Sequence, residues 1–426
     1  MKVVGLIAEY NPFHNGHSYH IRKARELTGA DYCVVVMSGH YVQRGEPACM
    51  DKYLRADSAL RSGADLVLEL PVPFATGSAE YFATGAVSIL DKLGVVDFLC
   101  FGSESGNLSH LSTIAAVLSD EPEPFSLLVK RLMAEGFSYP AARGQALTAY
   151  LAEQAPTDIP PEKIQALISS PNNILGIEYV KALSRRHSGI RPLTISRDSD
   201  FLSNTLSAPF CSSSAIRHVF QSTSPDSQTT AQALKAVRSC VPEEAYQVMS
   251  ENYSARLPIF ADDFSSMLLY KLLSARNSDL TDYLDVSPDL ENRIKGQLTG
   301  ASTFSGFIDA VKCRQYTRTR ISRALLHILL DIRVEDFVRY KENGFVPYAR
   351  ALGFRKSASP LLKGIKQNSA IPLITKMADA GRKLTPMGAD MLGQETFAAG
   401  LYQSVVFHKY GYRMKNEYSH GVIMSN

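Results

Sequence analysis

The first 103 residues alternate between two hydrophobic periods, and this restricts the fold more than any other feature of the 426-residue chain. Lys2 to Ala8 (KVVGLIA), Tyr32 to Met37 (YCVVVM), Ala64 to Leu70 (ADLVLEL) and Val95 to Phe101 (VVDFLCF) are short apolar runs rich in β-branched residues. Between them, His17 to Gly29, Asp51 to Gly63 and Ser78 to Leu93 carry apolar residues at helical spacing. Strands that read as continuous apolar runs are buried on both faces. The pattern therefore predicts a parallel sheet covered by helices, with ligands beyond the carboxyl ends of the strands.

Leu108 to Arg186 looks helical, and Arg191 to Arg197 (RPLTISR) reads as a fifth strand. The expected fold class is α/β: a Rossmann-like domain over residues 1–222 with a parallel five-stranded sheet and a helical insertion at about 108–190. Gln221 to Thr230 (QSTSPDSQTT) is polar and rich in turn formers, which marks a boundary. Ala231 to about Asn368 looks almost wholly helical, and Ser369 to Asn426 mixes helical pieces with Gly and Pro, so residues 231–426 are expected to form a mainly helical second domain. No run reaches the roughly 18 apolar residues of a membrane span, and Met1 to Tyr10 lacks the order of a signal peptide. A soluble cytoplasmic protein with no membrane partner is the expectation. Six cysteines (Cys33, Cys49, Cys100, Cys211, Cys240, Cys313) show no C-x-x-C and no grouping with histidines, which argues against a disulfide framework and against a zinc site.

The strongest chemical signal follows the first strand: Glu9-Tyr10-Asn11-Pro12-Phe13-His14-Asn15-Gly16-His17 contains H-x-G-H between a strand and a helix. Two imidazoles three residues apart at a helix N-terminus can face a polyphosphate, Gly16 lets the backbone approach closely, and the helix dipole favours negative charge. H-x-x-H also ligates metals, but no third ligand lies nearby in sequence, so no metal site is expected. After the fifth strand, Ser212-Ser213-Ser214-Ala215-Ile216-Arg217 supplies hydroxyls, a helix start and a guanidinium, the donors a departing pyrophosphate needs. An ordinary N-cap with an exposed arginine is the plainer alternative. Together the two motifs resemble the nucleotidylyltransferase superfamily, whose members attack the α-phosphate of ATP.

Longer strings carry a closer resemblance. EYNPFHNGH (Glu9 to His17), MSGHYVQRGEPA (Met37 to Ala48), ADLVLELP (Ala64 to Pro71), FGSE (Phe101 to Glu104), SSPNNILGIEY (Ser169 to Tyr179), KCRQYTRTRISR (Lys312 to Arg323) and RALGF (Arg350 to Phe354) are similar to the bacterial tRNA(Met) cytidine acetate ligase family over nearly the whole chain. That resemblance implies activation of acetate by ATP, with Mg²⁺ assisting, and acetylation of the wobble cytidine of elongator tRNA(Met), with no DNA partner. It implies an ATP site on Ile7, Ala8, Glu9, Tyr10, Asn11, Pro12, Phe13, His14, Asn15, Gly16, His17, Ser18, Tyr19 and His20, with Gly102, Asn173 and Arg197, and with His14 and His17 as the catalytic pair. Asn173 would read adenine or ribose, or else cap a helix from Ile174; Arg197 would meet phosphate or adenine, or else form a structural ion pair. Phe201-Leu202-Ser203-Asn204 stands where the family commonly has Tyr-His, which puts in doubt an imidazole there. Gln43-Arg44-Gly45-Glu46-Pro47 and Lys52 follow the second strand, where they would close over the acyl-adenylate, contact tRNA phosphate, or form a solvated loop.

The overall charge of +3 does not mark a nucleic-acid binder, but its distribution is uneven. Residues 291–370 hold 15 Lys/Arg against 6 Asp/Glu, a local +9 that leaves −6 for the rest. Lys312, Arg314, Arg318, Arg320 and Arg323, with Tyr316 between them, would give a helix a strip of phosphate contacts and a stacking ring for tRNA. Two rival functions share parts of this pattern: an adenylyltransferase for a small metabolite, and a non-catalytic RNA-binding protein that has kept a nucleotide fold.

Overall fold

The structure is a computed structural model that describes residues 1–426 except 138, 155–158, 198–205, 207–208, 224–226, 299 and 301. The Phe201–Asn204 segment therefore lies outside the described residues.

The apolar runs form strands as their composition demands. β1 (Val3–Ala8), β2 (Tyr32–Ser38), β3 (Leu66–Leu70), β4 (Phe98–Ser103) and β5 (Arg191–Ser196) pair in parallel in the order β3-β2-β1-β4-β5. Helices α1 (Asn15–Thr28), α2 (Lys52–Arg61) and α3 (Ala79–Lys92) connect them, and five helices from Leu108 to Arg185, the last being α4 (Pro171–Arg185), form the insertion between β4 and β5. Alternate side chains divide the core between the two faces. Val34, Val36, Leu66 and Leu68 face α3 and the insertion, whereas Val4, Leu6, Cys33, Val35 and Met37 pack against Ile21 of α1 and Ala56 of α2. Strand order reverses direction between β1 and β4, so the crevice expected of a doubly wound sheet opens above them.

Three findings correct the sequence expectations. First, the stretch expected to be almost wholly helical contains a strand, β6 (Ala349–Arg355), which pairs antiparallel with β3. β7 (Leu373–Ile374) and β8 (Ile423–Ser425) then pair with β6, making the main sheet eight-stranded among the described residues. Second, Cys211 and Cys240 form a disulfide with Cα atoms 5.5 Å apart. Third, Lys52 reaches neither ligand nor solvent. It is fully buried, with Nζ 2.6 Å from Glu69 Oε1, 2.7 Å from Glu417 Oε2 and 3.6 Å from Glu395 Oε1. Arg350 of β6 completes the cluster, 2.8 Å from Glu69 and 2.7 Å from Glu417.

Candidate active site

Tyr10 leaves β1 in the left-handed region (φ 50°), which turns the chain towards α1. His14 is the N-cap of that helix: its Nδ1 accepts from Gly16 N–H at 3.0 Å, and His17 Nδ1 accepts from His14 N–H at 3.3 Å. The two rings stack with centroids 3.7 Å apart. Since each Nδ1 already accepts a backbone proton, each neutral ring carries its own proton on Nε2. Neutrality follows from the surroundings. Burial, with Arg197 and Arg217 adding to it, pushes His14 down to about 3. Burial and Arg197 bring His20 to about 4 against a hydrogen bond at Cys100, and His17 is held well below the usual imidazole range by burial, His14, Arg197 and His20. The motif thus presents N–H donors without fixed charge.

The serine motif meets this loop across 200 residues of chain. Helix α5 (Ser213–Gln221) is capped by Ser212, whose Oγ accepts from Ala215 N–H at 3.0 Å. Arg217 Nη1 donates to Asn11 O at 2.7 Å and Nη2 to Ser214 Oγ at 3.3 Å, while Ser213 Oγ donates to Pro12 O at 3.2 Å. Asn15 Nδ2 donates to Pro209 O and Ser239 O, which ties α1 to both sides of the disulfide. On the other flank Arg197, at the end of β5, lies across Gly102. A Cβ there would fall 2.7 Å from Arg197 Cδ, so the glycine makes room for the guanidinium. Arg197 Nη1 donates to Asn172 Oδ1 at 2.9 Å.

These groups enclose a cavity of ≈ 840 Å³, within the range of small-molecule sites. His14, His17, His20, Gly102, Arg197, Ser212, Ser213, Ser214 and Arg217 line one end, together with Ile7, Ala8, Tyr10, Asn11, Gly16 and Tyr19. Pro12, Phe13, Asn15, Ser18 and Asn173 are not in its wall. Phe13 is core, 1% exposed, and Asn173 Oδ1 accepts from Ser105 N–H at 3.1 Å, holding the turn after β4. Glu104 fixes that turn by accepting from the backbone of both asparagines. It is Asn172 that faces the cavity, and one of two adjacent asparagines cannot be chosen from sequence. Asn173 does not cap a helix either, since the N-cap of α4 is Ser170.

The far end lies on the β2 and β3 side. A hairpin (Tyr41–Val42 with Glu46–Pro47) brings Gln43 and Arg44 to the wall, and Gln43 N–H donates to Glu9 Oε1 at 2.8 Å. Beside it stand Thr319 and Arg323 of helix α6 (Arg318–Leu330); of these, Arg323 is the one expected in a separate basic strip. Ala79, Phe82, Leu175 and Tyr179 supply an apolar wall, of which only Leu175 and Tyr179 fall in a motif singled out from sequence, SSPNNILGIEY. The strip itself is only half helical. Lys312 and Arg314 precede α6 and are exposed. Tyr316 is 5% exposed with its hydroxyl 2.7 Å from Ser287 Oγ, so it is no stacking ring for a base. Arg320 lies 5.1 Å from the Tyr316 ring centroid, Arg318 pairs with Asp309, and Arg323 Nε donates to Asp285 at 2.8 Å.

Residues 1–417 match the family described as HIGH Nucleotidyl Transferase. The tRNA(Met) cytidine acetate ligase of Acetivibrio thermocellus is 41% identical over 404 residues, covering 94% of each chain. That of Halothermothrix orenii is 39% identical over 379 residues, covering 88% of this chain and 87% of the relative. The crystal structure of Thermotoga maritima TmcAL bound with alpha-thio ATP superposes with a TM-score of 0.89 at 31% identity, covering 100% of this chain and 99% of that one; the apo form gives 0.91. Matched over residues 1–417 by the family and over most of its length by these relatives, the protein belongs to the HIGH nucleotidyl transferase family, in the group of the tRNA(Met) cytidine acetate ligases.

Proposed function

We propose that this chain joins acetate to N4 of the wobble cytidine of elongator tRNA(Met) in two steps, through an acetyl-adenylate. The observation that carries the reading is the single cavity in which the His14–His17 pair and the Ser212–Arg217 motif meet at one end and the basic helix α6 at the other. Acetate is a poor acyl donor because oxide would have to leave. Attack of its carboxylate on the ATP α-phosphate gives acetyl-adenylate and pyrophosphate, and the cytosine amine then displaces AMP.

In the first step the His14 and His17 Nε2–H groups donate to phosphate oxygens as charge develops. Ser212, Ser213, Ser214 and the N–H groups of Arg217 not bonded to Asn11 and Ser214 receive pyrophosphate at the start of α5. Arg197 and Asn172 hold the adenosine side, and Ala79, Phe82 and Leu175 pack against the methyl group. Among the described residues no group of three or more His, Cys, Asp or Glu could hold a metal. Mg²⁺ would arrive on the triphosphate, held by its phosphate oxygens, and would neutralise charge there. Residues 1–222 carry the nucleotide chemistry and residues 231–426 the tRNA surface, with Lys312, Arg314, Arg318 and Arg320 on phosphates. An unpaired anticodon base swings into the cavity at little cost. Among the described residues no helix is long and apolar enough to cross a membrane.

The test is incubation with ATP, labelled acetate and bulk tRNA, followed by nucleoside analysis. Labelled N4-acetylcytidine in tRNA(Met) is the expected product. Pyrophosphate release driven by another small substrate, without acylated RNA, would replace this reading with a metabolite adenylyltransferase.

A further inference from the structure

We infer that the carboxylate of Glu9 is the general base that accepts the proton from cytosine N4 during acyl transfer. The inference rests on the acetate-ligase reading above and adds a role that reading leaves open. When N4 attacks the acetyl carbon, a C–N bond forms, the C–O bond to the AMP phosphate breaks, and AMP leaves with that electron pair. The amine nitrogen must shed one proton, so a group with a free lone pair has to stand beside it.

Few groups in the cavity wall qualify. Arg44, Arg197, Arg217 and Arg323 hold their protons. His14 and His17 have their Nδ1 lone pairs bonded to backbone N–H groups and point protons, not lone pairs, at the ligand. His20 lies on the Cys100 side, over β4. Among the described residues that line the cavity, Glu9 is the one carboxylate. It follows β1, the central strand of the parallel five, and so stands between the β4 and β5 side, where Gly102 and Arg197 lie, and the β2 and β3 side, where the hairpin and α6 present Gln43, Arg44, Thr319 and Arg323. An acyl-adenylate reaching from the first side would put its acetyl carbon next to Glu9, and a base entering from the second would meet it there.

Glu9 is also held still. Gln43 N–H fixes Oε1 at 2.8 Å, and Arg55 of α2 donates to its main-chain carbonyl. The charged and titratable groups that interact with it are Arg55 from α2 and Tyr179 from α4, and Arg44 of the hairpin lines the same cavity.

Glu9→Gln separates this role from a structural one, because the amide oxygen still accepts from Gln43 N–H while the basic lone pair is lost. With the full chain and a tRNA(Met) transcript, E9Q should slow acyl transfer far more than acetate-dependent ATP–pyrophosphate exchange. Single-turnover transfer from preformed acetyl-adenylate should slow by roughly 10²–10⁴-fold, the usual worth of a positioned base. The wild-type rate should fall towards acid pH with a slope of one in log units, E9Q should lose that limb, and Glu9→Asp should regain part of the rate. Transfer within about threefold of wild type, or an unaltered acid limb, overturns the assignment. So does an equal loss of exchange and transfer, which would put Glu9 at the ATP end. Should E9Q not fold, a wild-type profile without an acid limb overturns it by itself. A wild type that makes no N4-acetylcytidine refutes the ligase reading beneath it, an outcome distinct from the others.

Discussion

Replacing Lys52 with Met should destabilise the fold severely, although Lys52 opens an exposed-looking helical sequence. Two cations, Lys52 and Arg350, sit among three carboxylates, Glu69, Glu395 and Glu417, all at most 3% exposed. Burial, and then the Glu69 carboxylate, raise Glu395 well above the usual range, so it stays protonated while its Oε2 accepts from Val72 N–H at 2.7 Å. Two positive charges then balance two negative ones. Burial alone would raise Glu417, but Lys52, Arg350 and His40 outweigh it and hold this carboxyl well below the ordinary range. Lys52→Met leaves one anion uncompensated in the interior, which costs about 3–5 kcal/mol when a buried pair loses one partner. Against a total stability of roughly 5–15 kcal/mol, the urea midpoint should drop visibly. The deficit should also depend on pH. The depressed Glu417 stabilises the wild type above the unfolded carboxyl value of about 4.3, and this contribution is lost as pH falls, so the gap between wild type and variant narrows in acid. Lys52→Met with Glu417→Gln restores charge balance and should recover a large part of the loss. A single variant within about 1 kcal/mol of wild type, or a double variant no more stable than the single, would refute the neutral-cluster account.

Further outcomes follow from the site. His17→Ala should fold normally and slow acetate-dependent pyrophosphate exchange by roughly 10²-fold or more, the loss of one preorganised donor; unchanged exchange removes His17 from the mechanism. Arg318→Ala with Arg320→Ala should weaken tRNA binding and flatten its log–log salt slope by about one per lost phosphate contact, with exchange near wild type; filter binding at several salt concentrations reads both. Gly45→Ala should impair transfer more than exchange, because at φ +77° an added Cβ overlaps the backbone of Ser322 and Arg323 and forces the hairpin off α6. Equal effects on the two half-reactions would deny the hairpin a role at the tRNA end. His14, 2% exposed, titrates near 3 when folded and near about 6.5 when unfolded, so the unfolded chain takes up the proton first as pH falls. Between pH 7 and 5 the wild type should lose roughly 2 kcal/mol more stability than His14→Gln in urea titrations, and equal losses would show His14 charged in the folded state.

What the sequence made legible was local, and what it concealed was closure over long distances. β1 to β4 announce themselves because both faces are largely buried, and the His14 loop because a capping residue, a glycine and a second histidine fall within four positions. β6 is different: it carries Arg350 inward, and that arginine is tolerable only because Glu69 and Glu417 come from 281 positions before it and 67 after it. The same holds for Lys52, whose carboxylate partners are scattered over three segments, and for Cys211, whose partner is 29 residues away with no spacing rule to link them. Tyr316 read as a surface aromatic because its neighbours are charged, yet its hydroxyl finds Ser287 and its ring goes inside.

Those hidden closures bear on how ATP and tRNA chemistry are joined. β6 pairs with β3, and Glu395 of the helix Pro386–Tyr410 and Glu417 beyond it both close on Lys52 at the start of α2. That same long helix packs against α6, and α6 holds the hairpin through Ser322 Oγ donating to Gly45 O at 2.8 Å. The hairpin in turn holds Glu9 through Gln43. A displacement of α6 by bound RNA therefore has a continuous packed route to the centre of the cavity, with no flexible linker among these contacts to absorb it. Its steps are packed or hydrogen-bonded contacts, the Ser322–Gly45 bond buried and the Gln43–Glu9 bond partly so. On the proposed reading, Thr319 and Arg323 of the basic helix stand in the wall of the cavity because α6 would serve both the tRNA surface and the adenylate site, so a shift of α6 on RNA binding would be felt at Glu9.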